Sequence, residues 1–315
     1  MLAWGMTLVL APMQDVTDLA FMRTLARVGS LPDLFITPYF RSTATTCAMA
    51  EANERCILLN ETGVPVVAQL AGSEVAPLLR DAAALMRLPV SGINLNVGCP
   101  SPLVNRHGAG AALLRTPEKL RRILLSLRDL LPAGQFSVKC RLGWENAESE
   151  FPRLLELLDE ARPDFVIIHG RTRRQLYAGV PDEGAIRCAA QQLACPVLGN
   201  GDVQSAKQAR RWLSGVSPAG LAIGRGAVRC PYLFRLLRGG PEPGPDEWRR
   251  YFRILAEETE RELSARRSPA AHCNRMKKYL AFCYADFTPE QEYALRRCTD
   301  IQAMLDILCG EHEVS

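Results

Sequence analysis

The sequence lacks the marks of several protein classes. It contains no run of about 18 apolar residues, so no membrane span is expected. Its opening stretch, MLAWGMTLVLAPMQD, carries no basic segment ahead of an apolar core, which argues against a secretory signal. The 11 cysteines are odd in number and scattered, with no CxxC pair and no histidine at metal-ligand spacing. A disulfide framework and a structural zinc are therefore both disfavoured, no metal is expected, and a reducing cytoplasm is the expected compartment. Aromatic residues are sparse at 7%, and neither sign of charge dominates: 38 Lys and Arg against 34 Asp and Glu leave +4. That balance permits a nucleic-acid partner without requiring one.

What is present is a rhythm. A short, largely apolar, β-prone run recurs eight times in the first 225 residues: 7–11, 34–37, 65–70, 92–96, 136–141, 165–169, 196–199 and 219–223. Such runs suit strands covered by helices on both faces. Between them lie helical patterns at 18–28, 74–86, 150–161 and 205–213, and one after Thr116-Pro117-Glu118, where Thr116 can cap and Pro117 fits the first turn. Eight strands alternating with helices predict an α/β fold, a (β/α)8 TIM barrel; an open doubly wound sheet is the alternative.

After Phe234 the texture changes. Gly239-Gly240-Pro241-Glu242-Pro243-Gly244-Pro245 reads as a linker, and the chain beyond it shows only helical patterns, at 248–265, 272–284 and 289–308. The expected division is a barrel over 1–240 and a small C-terminal all-helical domain over 241–315. The latter holds 11 Lys or Arg against 14 Asp or Glu, which leaves +7 for the rest. Within it Arg261, Arg266, Arg267, Arg275, Lys277 and Lys278 are opposed in sequence only by Glu262, a pattern that fits a phosphate-facing patch or a solvated helix face.

In such a barrel the chemistry gathers where strands end. The ends offer Pro12 and Met13, then Gln69, then Asn96 with Gly98-Cys99-Pro100. Lys139 and Arg141 follow, then His169 and Arg171, Asn200-Gly201-Asp202, and Gly224-Arg225-Gly226. The last two turns are glycine-rich and lead into helical segments, which suits an anion such as a phosphate, with Arg225 adding charge. Lys139 and His169 sit in runs otherwise suited to burial, so a ligand is a natural partner for them; a buried ion pair and a hydrogen-bonded core histidine are the alternatives. Cys99, between Gly and Pro just beyond a strand, is placed to be reached by substrate and, mostly protonated at neutral pH, to serve as a general acid; an inert small core residue is the bland reading.

These residues resemble a known family, the tRNA-dihydrouridine synthases. The likeness runs in order through APMQDVTD (11–18), VAQLAG (67–72), INLNVGCPSPLVNRHGAGAALLRTPE (93–118), SVKCRLGW (137–144), IIHGRTRRQLYAG (167–179), GNGDV (199–203) and IGRGA (223–227), and weakly into RMKKYLAFCY (275–284). The resemblance implies FMN in a TIM barrel, a helical domain that helps hold tRNA, and NADPH-dependent reduction of the uridine C5=C6 bond in the D loop. By that resemblance Cys99 is the proton donor. Pro12, Met13, Gln14, Gln69, Lys139, His169, Asn200, Gly201, Asp202, Gly224 and Arg225 hold the cofactor. Asn96, Arg141, Arg171, Arg275, Lys277 and Lys278 face the substrate. Two departures stand out: Thr37-Pro38-Tyr39 replaces the usual Thr-Glu-aromatic run, and Pro102 stands where a lysine often follows GCP. The motif texture leans towards the bacterial branch acting at position 16, with the base flipped into the pocket by a monomeric enzyme. A flavin barrel reducing a free pyrimidine or small enone, and a tRNA-binding protein without chemistry, are the competing readings.

Overall fold

Eight short strands close into a parallel barrel in the computed structural model, which describes residues 6–45, 51–214, 218–263 and 268–310. The strands in chain order are β1 (Thr7–Leu10), β2 (Leu34–Ile36), β3 (Phe40–Arg41), β4 (Val66–Ala71), β5 (Gly92–Val97), β6 (Phe136–Arg141), β7 (Phe165–His169), β8 (Val197–Asn200) and β9 (Gly220–Ile223). The ring runs β1-β2-β4-β5-β6-β7-β8-β9 and closes where Leu8 pairs with Leu221. All eight predicted runs fall on these ring strands, so the closed barrel holds and the open sheet does not. The unforeseen β3 prolongs the path of β2 and pairs only with β4. Thr37-Pro38-Tyr39 separates the two pieces, and Pro38 has no N–H for the ladder.

The barrel interior has two unlike halves. Val9, Ala11, Leu34, Ile36, Val67, Phe165, Ile167, Leu198 and Ala222 form an apolar cluster enclosed by the ring, separate from the larger core between strands and helices. On β4, β5 and β6 the same inward alternation places Gln69, Asn94, Asn96, Ser137, Lys139 and Arg141. The expectation of near-continuous apolar strands is thus corrected for this half: GINLN and FSVKCR alternate, because Asn96, Lys139 and Arg141 face a cavity and Asn94 and Ser137 hydrogen-bond to each other beneath it rather than packing hydrocarbon.

Around the ring lie α1 (Leu19–Arg27), α2 (Glu51–Leu58), α3 (Val75–Leu85), α4 (Pro102–Asn105), α5 (Pro117–Leu130), α6 (Ala147–Ala161), α7 (Glu183–Gln192), α8 (Ala206–Trp212), α9 (Arg225–Arg229) and α10 (Leu233–Leu237). Pro117 opens α5 as expected, but Thr116 does not cap it: its hydroxyl donates to the Leu113 carbonyl at 3.3 Å. Helix α6 begins three residues before the expected Glu150, capped by Asn146, whose side chain accepts from Glu148 and Ser149.

The C-terminal helices are α11 (Pro245–Glu262), α12 (Pro269–Leu280), α13 (Pro289–Arg297) and α14 (Ile301–Cys309). The single helix expected over 289–308 is broken at Cys298-Thr299-Asp300, where Asp300 caps α14 by accepting from Ala303 N–H at 2.8 Å. Pro245, placed in the linker by composition, is the first residue of α11. Helix α11 lies along α1 through charge pairs: Arg23 with Glu262 at 2.9 Å and Arg27 with Glu258 at 3.0 Å. Arg55 of α2 reaches Glu262 at 3.0 Å.

Candidate active site

The strand ends open into a cavity of about 570 Å³ at the C-terminal mouth of the barrel. Strands β4 to β8 supply Gln69, Asn96, Lys139, Arg141, His169 and Asn200. The loop after β1 brings Pro12, Met13 and Gln14, and the loops after β8 and β9 bring Gly201, Asp202, Gly224 and Arg225. Cys99 joins from the loop after β5. The strand-end set is thereby gathered into one site, apart from Arg171. Reasoning from sequence did not select Tyr39, Ser101, Leu176, Tyr177 or Phe282 as lining residues, and all five are. Tyr177 and Phe282 fall inside the motif stretches, but no spacing pattern distinguishes them there. Phe282, just beyond α12, is the contribution of the C-terminal helices to this cavity.

Lys139, half-buried at the cavity wall, donates to Asn200 Oδ1 at 2.9 Å, and Asn200 Nδ2 in turn donates to the Ala222 carbonyl at 2.7 Å. Among the described residues no carboxylate pairs with this ammonium. Burial, helped by the nearby Arg141 charge, pushes its pKa down to about 8. Because the folded value lies below the unfolded 10.5, the unfolded chain holds the extra proton between pH 8 and 10.5, and stability rises with pH across that window. The ligand-free protein is therefore expected to be less stable than a Lys139→Met variant near pH 7 by an amount on the order of 3 kcal/mol, a gap that closes towards pH 10.5. Thermal unfolding of both proteins over that range checks it; a gap independent of pH would show that Lys139 is not desolvated.

Burial holds His169 far below the usual histidine range, reinforced by the charges of Lys139, Arg141, Arg171 and Arg225. The ring is neutral at physiological pH and able to donate or accept one hydrogen bond. Burial likewise raises the Cys99 thiol, against the opposing Ser101 N–H and the charges of Lys139 and Arg141. It stays protonated, which suits an acid rather than a thiolate nucleophile.

Two buried arginines brace the loop after β7. Arg141 donates to the Gly98, Thr172 and Leu176 carbonyls, each at 2.9 Å. Arg171 donates to the Ala178 carbonyl at 3.0 Å and to Gly179, and it pairs with Asp202. It does not line the cavity. Asp202 also takes Arg225 at 2.5 Å. Burial pushes its carboxyl up, but the two guanidinium groups outweigh this and hold it below the usual range. Arg225 lies 4.4 Å from the Tyr177 ring centroid, so charge and aromatic face fix the rim together.

Arg275, Lys277 and Lys278 lie outside this cavity. Arg275 and Lys278 line a second one of about 520 Å³, bounded by the loop after β1, α2 and the C-terminal helices, which shares Gln14 and Pro38 with the first. The view of these cations as opposed by Glu262 alone is corrected by long-range partners: Arg275 pairs with Asp18, Lys278 with Asp15 at 3.1 Å, and Arg261 with Glu61 at 3.7 Å. Arg266 and Arg267 lie outside the described residues.

A closed (β/α)8 barrel with its polar groups concentrated in one composite site at the strand ends defines a barrel enzyme. The sequence profile of the family described as dihydrouridine synthase (Dus) matches residues 9–309. A tRNA-dihydrouridine(16) synthase of Cupriavidus necator is 33% identical over 316 residues, covering 96% of this chain and 97% of its own. The Escherichia coli K12 protein of the same name is 30% identical over 294 residues, covering 91% and 92%. In fold, morphinone reductase is similar at a TM-score of 0.52 and 14% identity, over 76% of this chain and 89% of that one. The chain belongs to the dihydrouridine synthase family, and it is an oxidoreductase.

Proposed function

We propose that the protein reduces the C5=C6 bond of uridine 16 in the D loop of tRNA, with FMN in the barrel mouth and NADPH as reductant. The observation that carries this reading is the meeting of a protonated Cys99, a carboxylate-free Lys139 and the glycine-rich turns after β8 and β9 around one cavity. The residues fit a flavin mononucleotide. The volume lies within the roughly 300–1,000 Å³ of small-molecule sites, Lys139 and neutral His169 offer donors to the carbonyl edge of a ring, and Arg225 with the Gly201 and Gly224 turns offers charge and backbone to a phosphate. When bound, the reduced flavin supplies hydride to uracil C6.

The chain's own residues do the rest. Cys99 holds a proton at Sγ for C5. Asn96, Tyr177 and Tyr39 enclose the flipped base, whose unstacking costs a few kcal/mol that contacts elsewhere on the tRNA must offset. Lys277 and Lys278 on α12 serve those contacts, beside Arg275, whose charge Asp18 takes up, with residues 241–315 acting as the tRNA-holding domain. A monomeric cytoplasmic enzyme meets this description.

Purified protein is expected to be yellow and to release FMN on denaturation. With NADPH it should form dihydrouridine at position 16 in tRNA from cells lacking the gene. A colourless protein that cannot be reconstituted with FMN would sink the cofactor reading, and dihydrouridine at another position would move the target.

A further inference from the structure

A row of polar side chains crosses three neighbouring strands beneath the cavity. Gln69 on β4 is the register partner of Asn94 on β5, and Asn94 that of Ser137 on β6. All three are buried to within 1% exposure, and only Gln69 lines the cavity. We infer that Asn94 and Ser137 are positioning residues: they orient the Gln69 and Asn96 amides and, through Asn96, hold the turn that carries Cys99. The inference rests on the reading of Cys99 as proton donor.

The direction of this chain follows from one end. The backbone N–H groups of Gly98 and Cys99 can only donate, and both reach Asn96 Oδ1, at 3.0 and 2.8 Å. Asn96 therefore turns Nδ2 to Gln69 and donates to Oε1 at 2.8 Å. Gln69 must then offer Nε2, which donates to Asn94 Oδ1 at 2.8 Å. Asn94 Nδ2 donates to Ser137 Oγ at 2.9 Å, and the Ser137 hydroxyl ends the chain on the Ile93 carbonyl at 3.4 Å.

Each amide carries two N–H groups and the chain uses one, so Gln69 and Asn96 each retain a donor at the cavity wall. Turning any single amide would set oxygen against oxygen or N–H against N–H in a dry interior, so the orientation is collective. A wall of donors recognises the carbonyl edge of a planar ring. The same chain grips the Cys99 turn, so the acid and the ring-binding donors share one frame.

Ser137→Ala removes the terminal acceptor at little cost in volume, and Ser137→Thr keeps the hydroxyl. In the flavin-loaded enzyme, the rate at which iodoacetamide alkylates Cys99, followed by peptide mass, reports the turn without any RNA. Ser137→Ala is expected to raise that rate several-fold. It is also expected to slow uridine reduction about tenfold at unchanged KM for tRNA, within the range that small misplacements cost. Reduction by NADPH should stay within about twofold, and Ser137→Thr should restore both readouts.

If Ser137→Ala fails to fold, the Asn94 pair carries the test. Asn94→Asp keeps the acceptor for Gln69 but loses the donor to Ser137 and buries a carboxylate, so it should show a weaker form of the Ser137→Ala pattern, while Asn94→Ala, which removes both contacts, should show it in full. Unchanged Cys99 alkylation in Ser137→Ala or Asn94→Ala overturns the inference, and so does parallel loss of NADPH reduction, tRNA KM and melting temperature. A wild-type enzyme that makes no dihydrouridine would sink the functional reading instead, and leave the alkylation result to decide this one.

Discussion

Replacing Cys99 with alanine is expected to slow uridine reduction by about 10²–10⁴-fold, the usual worth of a positioned general acid, while NADPH still bleaches the flavin band. The split follows from the site. Cys99 is the titratable group of the β5 loop that lines the cavity, and burial keeps its thiol protonated. His169 cannot substitute, because burial and four surrounding cations strip it of a proton to give. Tyr39 is a weaker acid still, since its own burial and the neighbouring thiol raise its pKa further above 10. Lys139 is engaged by the Asn200 side chain at 2.9 Å. Stopped-flow measurement of the two half-reactions checks the expectation. Equal loss in both would show that Cys99 shapes the cofactor site rather than donating a proton.

The second large effect is expected from Gly226→Ala. A Cβ at this position would stand 1.9 Å from the Val203 carbonyl oxygen and 2.9 Å from its carbon, both backbone atoms that no rotamer change can move aside. Val203 belongs to the loop after β8 and Gly226 to the first turn of α9, and both line the cavity. The substitution must therefore pry apart the two turns assigned to the phosphate. A cost of about 3 kcal/mol, at the upper end of overpacking, is expected, together with a fall in melting temperature of roughly 4–5 °C and loss of bound flavin. Gly244→Ala makes the comparison, because its Cβ would meet nothing within 4 Å. A Gly226→Ala protein that melts and binds flavin like wild type would mean the two turns are not packed as described.

Much of this was legible in the sequence, for particular reasons. Strand ends are marked by the residues that stop strands, so NVGCP, HGR, GNGD and GRG announced both the barrel and the place where its loops converge. Lys139 was readable because a charge inside FSVKC needs an explanation. Other features depend on pairings that no local pattern encodes. Arg275 meets Asp18 across 257 residues, so a cation that looked unopposed along its own helix is neutralised in space. Arg171 sits in the motif beside His169 and its Nη1 reaches the His169 ring at 3.4 Å, yet it stays off the cavity wall and braces the rim, a distinction that only the direction of a side chain settles. Tyr177 and Phe282 reach the cavity from segments whose composition resembles ordinary loop and core. The alternation of GINLN reads as part of a continuous apolar run, because an inward polar residue makes sense only once the cavity and the polar row beneath it are known.

The joint at Asp18 bears on how such proteins can be recombined. Its carboxylate caps α1 by accepting from Phe21 N–H at 3.1 Å, and it also receives Arg275 and the Tyr279 hydroxyl, the latter at 2.7 Å, from α12. One turn away, Arg23, with its side chain 7% exposed, depends on Glu258 and Glu262 of α11. Exchanging the C-terminal helices between relatives would leave a buried guanidinium with only Glu61 at 3.8 Å of its three acids and loosen the loop that carries Met13 and Gln14. The two parts are not interchangeable cassettes; they must be inherited, or transplanted, with their joint intact.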